Sequence, residues 1–75
     1  MAEITLDTRG LRCPLPVLKL EKRLGSLAAG DTITLLATDA IARIDIPLYC
    51  VQHGYGCDIG EADGVLRFTI TPIVA

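Results

Sequence analysis

The sequence predicts an α+β fold, a two-layer α/β sandwich with two helices on one face of a four-stranded mixed sheet. Three observations predict it. Segments of period-two and period-3.6 hydrophobicity follow one another in the order β-α-β-α-β-β. Gly, Asp and Pro punctuate the junctions between them. At 75 residues the chain has room for one domain, 1–75, because so short a chain buries only about 60% of its unfolded surface.

Each element has its own signal. In Glu3 to Asp7, Ile4 and Leu6 alternate with Glu3, Thr5 and Asp7, which predicts a strand that Thr8-Arg9-Gly10 ends. From Pro14 the period lengthens. Val17, Leu20, Leu24 and Leu27 recur at steps of three and four while Lys19, Lys22, Arg23 and Ser26 face away, so a helix with one packed face is expected. Ala29-Gly30-Asp31 is expected to close it. Thr32 to Thr38, β-branched with a central Leu35-Leu36, predicts a buried central strand. Asp39 opens a turn, and Asp45-Ile46-Pro47 predicts a second helix with Asp45 as its N-cap and Pro in its first turn. That helix is expected to run to about His53, with Ile44, Leu48, Val51 and Cys50 the candidates for burial, and to end at Gly54 and Gly56. Tyr55 to Glu61 is a weaker strand, Asp63-Gly64 a hairpin turn, and Val65 to Ile70 the last strand, with Pro72 suited to a strand leaving at a sheet edge.

Composition narrows function. No run of eighteen apolar residues is present, and Met1-Ala2-Glu3-Ile4-Thr5 lacks the basic start and apolar stretch of a secretion signal, so a cytoplasmic protein without a membrane partner is expected. Three cysteines do not make a complete disulfide framework, and a reducing cytosol keeps them as thiols. The net charge of -2 is polarised: Arg9 to Arg23 holds five cations against one acid, a net of +4, leaving two cations against eight acids elsewhere, −6. An acidic chain with two tyrosines and one phenylalanine is a poor direct, tight binder of nucleic acid, whereas a local basic face fits an acidic protein partner or a thiolate.

The chemistry concentrates at Cys13. A thiol is nucleophilic as thiolate, and a helix N-terminus and nearby cations lower its pKa. With Pro14 as the first helical residue, Cys13 would occupy the N-cap, beside Arg12 and within reach of Arg9. Pro14 and Pro16 fix φ in the first turn and stiffen the site. The second cysteine of a Cys-x-x-Cys motif is replaced by Pro16, which excludes local disulfide cycling, and the one histidine, His53, is placed at the far end of the second helix, which gives a cysteine hydrolase poor support. A lone activated thiol that accepts sulfur as persulfide and passes it on needs neither.

The run Leu6-Asp7-Thr8-Arg9-Gly10-Leu11-Arg12-Cys13-Pro14-Leu15-Pro16 resembles the signature of the TusA (SirA-like) sulfur carriers. Gly30-Asp31, Ala37-Thr38-Asp39, Asp45-Ile46-Pro47 with Tyr49-Cys50, and Gly54 after His53 are similar to the family's later landmarks in order and spacing. The resemblance implies a two-layer α/β fold and transfer of persulfide sulfur from a cysteine desulfurase or rhodanese-like donor, through Cys13, to a downstream acceptor protein. It implies a sulfurtransferase in the carrier sense, dependent on partner proteins and with no cofactor. In some members the pathway ends in thiolation of the tRNA wobble uridine, in others in sulfur oxidation or molybdenum-cofactor supply. Arg9, Gly10, Arg12, Pro14 and Pro16 are the supporting motif residues, and Arg9, Arg12, Lys19 and Lys22 are expected to meet acidic residues of the partners. The family often has Asp-Pro where this chain has Asp39-Ala40, a difference expected to loosen the start of the second helix. The tail Thr71-Pro72-Ile73-Val74-Ala75 lacks the basic ending of many relatives.

The same residues admit other readings. Cys50, His53 and Cys57, with Cys13, offer four zinc ligands, but zinc sites favour loops and Cys50 is expected inside a helix, so no metal is expected. Asp7, Asp39 and Asp45 read as turn and cap residues rather than a catalytic set. The alternative function is a non-catalytic regulatory or redox-sensing interaction module of the same fold, in which Cys13 merely packs.

Overall fold

The computed structural model describes residues 3–27 and 30–72; the expected helix end at Ala29 and the tail from Ile73 lie outside them. In chain order the elements are β1 (Glu3–Thr8), α1 (Leu15–Leu24), β2 (Thr32–Ala37), α2 (Ala42–His53), β3 (Tyr55–Ala62) and β4 (Val65–Pro72). The sheet order is β1-β2-β4-β3. β1 and β2 are parallel, as strands joined through a helix must be, while β4 runs antiparallel to both β2 and β3. Asp63 and Gly64, both at positive φ, make the tight β3–β4 turn that the Asp-Gly pair predicts.

Register explains the core. Ile4 pairs with Ile33 and Leu6 with Leu35 across β1 and β2; Ile33 pairs with Ile70, Leu35 with Phe68 and Ala37 with Leu66 across β2 and β4. Partners directly opposite one another share a face of the sheet, and this face receives Leu20 and Leu24 from α1 and Ala42, Ile46 and Cys50 from α2. Phe68, Leu35 and Leu20 are completely buried, each such side chain worth about 1.5–3 kcal/mol relative to exposure.

The helices depart from expectation in ways that bear on function. α1 begins one residue later than predicted, with Pro14 as N-cap, and it stops at Gly25 rather than at Ala29-Gly30-Asp31. Gly25 lowers helix propensity, and the chain continues in tight turns, Ser26 N–H to Arg23 O and Leu27 N–H to Leu24 O, that still hold Leu27 against the core. α2 begins at Ala42, three residues before Asp45, so Asp45 is a first-turn residue rather than the N-cap, and Pro47 lies inside the helix. Asp39 causes the early start: its carboxylate accepts the Ile41 N–H at 3.0 Å and its carbonyl accepts the Ala42 N–H at 3.0 Å. The start of α2 is therefore defined without a proline after Asp39. The buried stripe of α2 is Ala42, Ile46 and Cys50, with Tyr49 partly buried; Ile44, Leu48 and Val51 face outward, opposite to expectation. Gly54, left-handed at φ 76°, ends α2 as predicted. β4 lies between β2 and β3 rather than at an edge; Pro72 follows the last β2–β4 pair, Ile33 with Ile70.

Candidate functional site

The carboxyl ends of the parallel pair β1 and β2 carry the two loops that build the site, the usual location of a binding crevice beside parallel strands. After Thr8, Gly10 turns the chain at φ 81°, and the loop is tied to β2 by Thr8 Oγ1 donating to Leu36 O at 2.5 Å and by Gly10 N–H donating to Thr38 Oγ1 at 2.9 Å. Leu11 N–H to Thr8 O and Leu15 N–H to Arg12 O then close two successive turns, the second enclosing Cys13 and the cis Cys13–Pro14 peptide. Pro16 is buried beneath the first turn of α1, which anchors the loop from below.

Cys13 is held by two carboxylates of the β2–α2 segment. Its backbone N–H donates to Asp39 Oδ2 at 2.7 Å, and its thiol donates to the Asp45 carboxylate. The thiol is half-exposed. The hydrogen bond to Asp45, partial desolvation and the negative charges of Asp45 and Asp39 push its pKa up to about 11, because each makes the thiolate harder to form. This overturns the expected cation-activated thiolate at a helix N-cap. Cys13 lies one residue outside the cap, and Arg9 is engaged by Asp7. Arg9 forms a two-pronged ion pair with Asp7, through Nε at 2.9 Å and a terminal nitrogen at 2.8 Å, which lowers the Asp7 pKa to about 2 and raises that of Arg9. Arg12 is exposed, and its charge contributes to lowering the Asp39 pKa; the larger causes are the N–H donors of Cys13 and Ile41.

Beside the thiol, Gly10, Leu11, Arg12, Thr38, Asp39, Ala40 and Ile41 line a shallow groove of about 400 Å³. Lys19 and Lys22 belong to a separate groove, with Leu6, Arg23 and Ser26. The structure thus brings Gly10, Arg12, Pro14 and Pro16 into the Cys13 loop, while Arg9 braces the β1 end and the two lysines lie on the outward side of α1. Sequence reasoning missed the role of Asp39 and Asp45 as direct partners of Cys13. Asp39 was legible as a turn residue and Asp45 as a cap; their reach across 26 and 32 residues to Cys13 was not.

Among the described residues, no group of three or more His, Cys, Asp or Glu side chains is placed to hold a metal ion. His53 stacks on Tyr49, with ring centroids 4.2 Å apart. No described helix is long and apolar enough to cross a membrane.

Known proteins are similar to this chain in sequence and fold. The sequence profile of the family described as sulfurtransferase TusA matches residues 4–71. A Neisseria meningitidis protein is 43% identical over 67 residues, covering 88% of this chain and 90% of its own. The sulfur carrier protein TusA of Pseudomonas entomophila is 47% identical over 53 residues, covering 71% of this chain and 66% of that protein. The crystal structure of a SirA-like protein from Desulfitobacterium hafniense superposes with a TM-score of 0.82 at 35% identity, covering 93% of this chain and 95% of the other. With sequence and fold agreeing over nearly the whole length, this chain belongs to the TusA family of sulfur carriers.

Proposed function

We propose that Cys13 carries sulfur as a persulfide, accepting it from a cysteine desulfurase or rhodanese-like donor and relaying it to a downstream acceptor, with tRNA wobble-uridine thiolation one candidate destination. The observation that carries this reading is the half-exposed Cys13 thiol hydrogen-bonded to the Asp45 carboxylate at the carboxyl ends of β1 and β2. The Cys13 sulfur attacks the outer sulfur of a donor persulfide; the new S–S bond forms as the donor's S–S bond breaks, and the donor cysteine leaves as thiolate. The Cys13 proton passes to Asp45 and from there to the departing thiolate, so one thiol and one persulfide go in and one of each come out. Between encounters the raised pKa keeps Cys13 protonated and quiet toward stray electrophiles.

The surface around the thiol supports docking by a sulfur-exchanging protein. Ile41, Ile44, Leu48 and Val51 form an exposed apolar stripe along α2, with Ile44 68% and Val51 77% accessible, and Leu15 and Leu18 of α1 are exposed as well. A stripe of this kind, with Asp45 and so Cys13 on its flank and Arg12 in the adjoining loop, fits a partner with an apolar patch and an acidic margin. The three cysteines without disulfides fit a cytoplasmic setting.

The test is intact mass after incubation with a cysteine desulfurase and cysteine. The wild-type chain should gain one sulfur and Cys13→Ala none; an equal gain in Cys13→Ala overturns the assignment.

A further inference from the structure

Away from Cys13, the junction of α2 and β3 brings the other two cysteines together. Cys50 lies in the last turn of α2, Gly54 reverses the chain in the left-handed conformation, and Cys57 is the third residue of β3. Cys57 is the register partner of buried Ile70, which puts its side chain on the sheet face covered by the helices, and it packs on the same core cluster that contains Cys50. The two thiols are near enough for each to shift the other's pKa, Cys57 raising that of Cys50 and Cys50 lowering that of Cys57, beneath the larger upward push of burial on both, and neither is in a disulfide. Their exposure is unequal: Cys50 is fully buried, whereas Cys57 is half-exposed. One thiol therefore has a route to solvent, and a second thiol lies behind it in the same cluster. A cysteine serving only to fill the core needs no such neighbour.

We propose that Cys50 and Cys57 form a second thiol site, a dithiol that reduces small disulfides and closes into an intramolecular disulfide between α2 and β3. The Cys57 sulfur attacks one sulfur of a low-molecular-weight disulfide; that S–S bond breaks, a mixed disulfide forms on Cys57 and the first small thiolate leaves. The Cys50 sulfur then attacks the Cys57 sulfur, the Cys50–Cys57 bond forms and the second small thiolate leaves. The two protein thiol protons end on the two released thiolates, so the dithiol is oxidised by two electrons and the small disulfide is reduced to two thiols. Cys50 acts second because the buried sulfur reaches no sulfur but that of its neighbour. The closing movement joins two side chains already packed in one core cluster into a bond of about 2.05 Å, without bringing distant elements together.

The experiment uses the Cys13→Ala chain, so that its outcome does not depend on the sulfur-carrier reading. The folded protein is incubated with excess oxidised glutathione, then denatured, alkylated and weighed intact, and its peptides are mapped. Loss of two hydrogens, protection of both remaining thiols and a linked Cys50–Cys57 peptide are expected, with no glutathione retained. Adding Cys50→Ala should halt the reaction at a glutathione adduct on Cys57, and adding Cys57→Ser, at the half-exposed position, should leave Cys50 fully alkylated. Complete alkylation of both thiols after oxidant, or a glutathione adduct that persists on Cys57 with Cys50 present, overturns the proposal.

Discussion

The Cys13 thiol donates its hydrogen bond to the Asp45 carboxylate, so this sulfur rests against an anion rather than a cation. The same carboxylate that suppresses the thiolate is the nearest acceptor for the thiol proton. Under the proposed function, one contact thus keeps the Cys13 thiol protonated and gives the proton a place to go when an electrophilic sulfur arrives.

Replacing Asp45 with Asn should separate these two roles. Removing the charge lowers the Cys13 pKa from about 11 toward the ordinary value near 9, and each unit is worth a tenfold change in thiolate at neutral pH. Alkylation of Asp45→Asn by iodoacetamide at pH 7 should therefore be about 10-fold faster than wild type or more, while desulfurase-dependent sulfur loading slows. Equal alkylation rates would show that the carboxylate does not restrain the thiol.

Alkaline pH should destabilise the fold through its thiols. The folded-state pKa values of Cys13 and Cys50, about 11 and about 12, lie above the ordinary value of 9.0, so the native state holds these protons more tightly than the unfolded chain does. Their contribution is complete below pH 9 and is lost as pH rises through 11 and 12. Denaturant midpoints measured between pH 8 and 11 should fall, and the fall should be shallower in Cys50→Ala whatever its stability at neutral pH. A slope unchanged by that substitution would remove Cys50 from the account.

Arg9 is predicted to brace the end of β1 rather than to activate the thiol, since both of its hydrogen-bonding prongs meet Asp7. Arg9→Ala should leave the pH profile of Cys13 alkylation unmoved. The pair should also contribute to stability above about pH 4 and lose that contribution as pH falls toward 2, with the effect reduced by salt because both side chains are exposed. An alkylation profile shifted by Arg9→Ala would contradict this division of labour.

Stability and partner recognition should divide between the two sides of the helices. Leu20→Ala removes a completely buried side chain and should cost about 2–5 kcal/mol in denaturant unfolding. Val51→Asp and Ile44→Asp, on the exposed stripe, should keep the denaturant midpoint near wild type yet slow sulfur acquisition from the desulfurase. Reversing the charges of Arg12 and Lys19 together should slow the same step and weaken its salt dependence. Unchanged transfer rates in all three variants would place the docking surface elsewhere.

Much of this protein was legible along the chain. Alternating Ile4 and Leu6, the Leu20 and Leu24 spacing, the β-branched run into Leu35, and Asp63-Gly64 are local patterns, and local patterns fix strands, helices and turns. Cys13 stood out because its proline neighbours and missing partner cysteine are also local. The helix limits were read less well. Asp45-Ile46-Pro47 carries a cap signal, but Asp39, six residues earlier, supplies the actual side-chain acceptor and starts α2 sooner. Moving that start goes with a different buried face: Ile46 and Cys50 turn inward while Ile44, Leu48 and Val51 turn out.

By itself, then, the sequence determined the element order and the two-layer sandwich and singled out Cys13 as the candidate, because each follows from neighbours within a turn or a strand. The tertiary structure decided what surrounds that residue. The parallel pairing of β1 with β2 sets the Cys13 loop beside the start of α2, and so the electrostatic setting of the thiol comes from Asp39 and Asp45 instead of the arginines next to it in sequence. The physical reason is distance: a charge acts on a thiol according to its separation in space, and folding brings carboxylates 26 and 32 positions away into hydrogen-bonding contact with Cys13, while Arg9 is paired with Asp7.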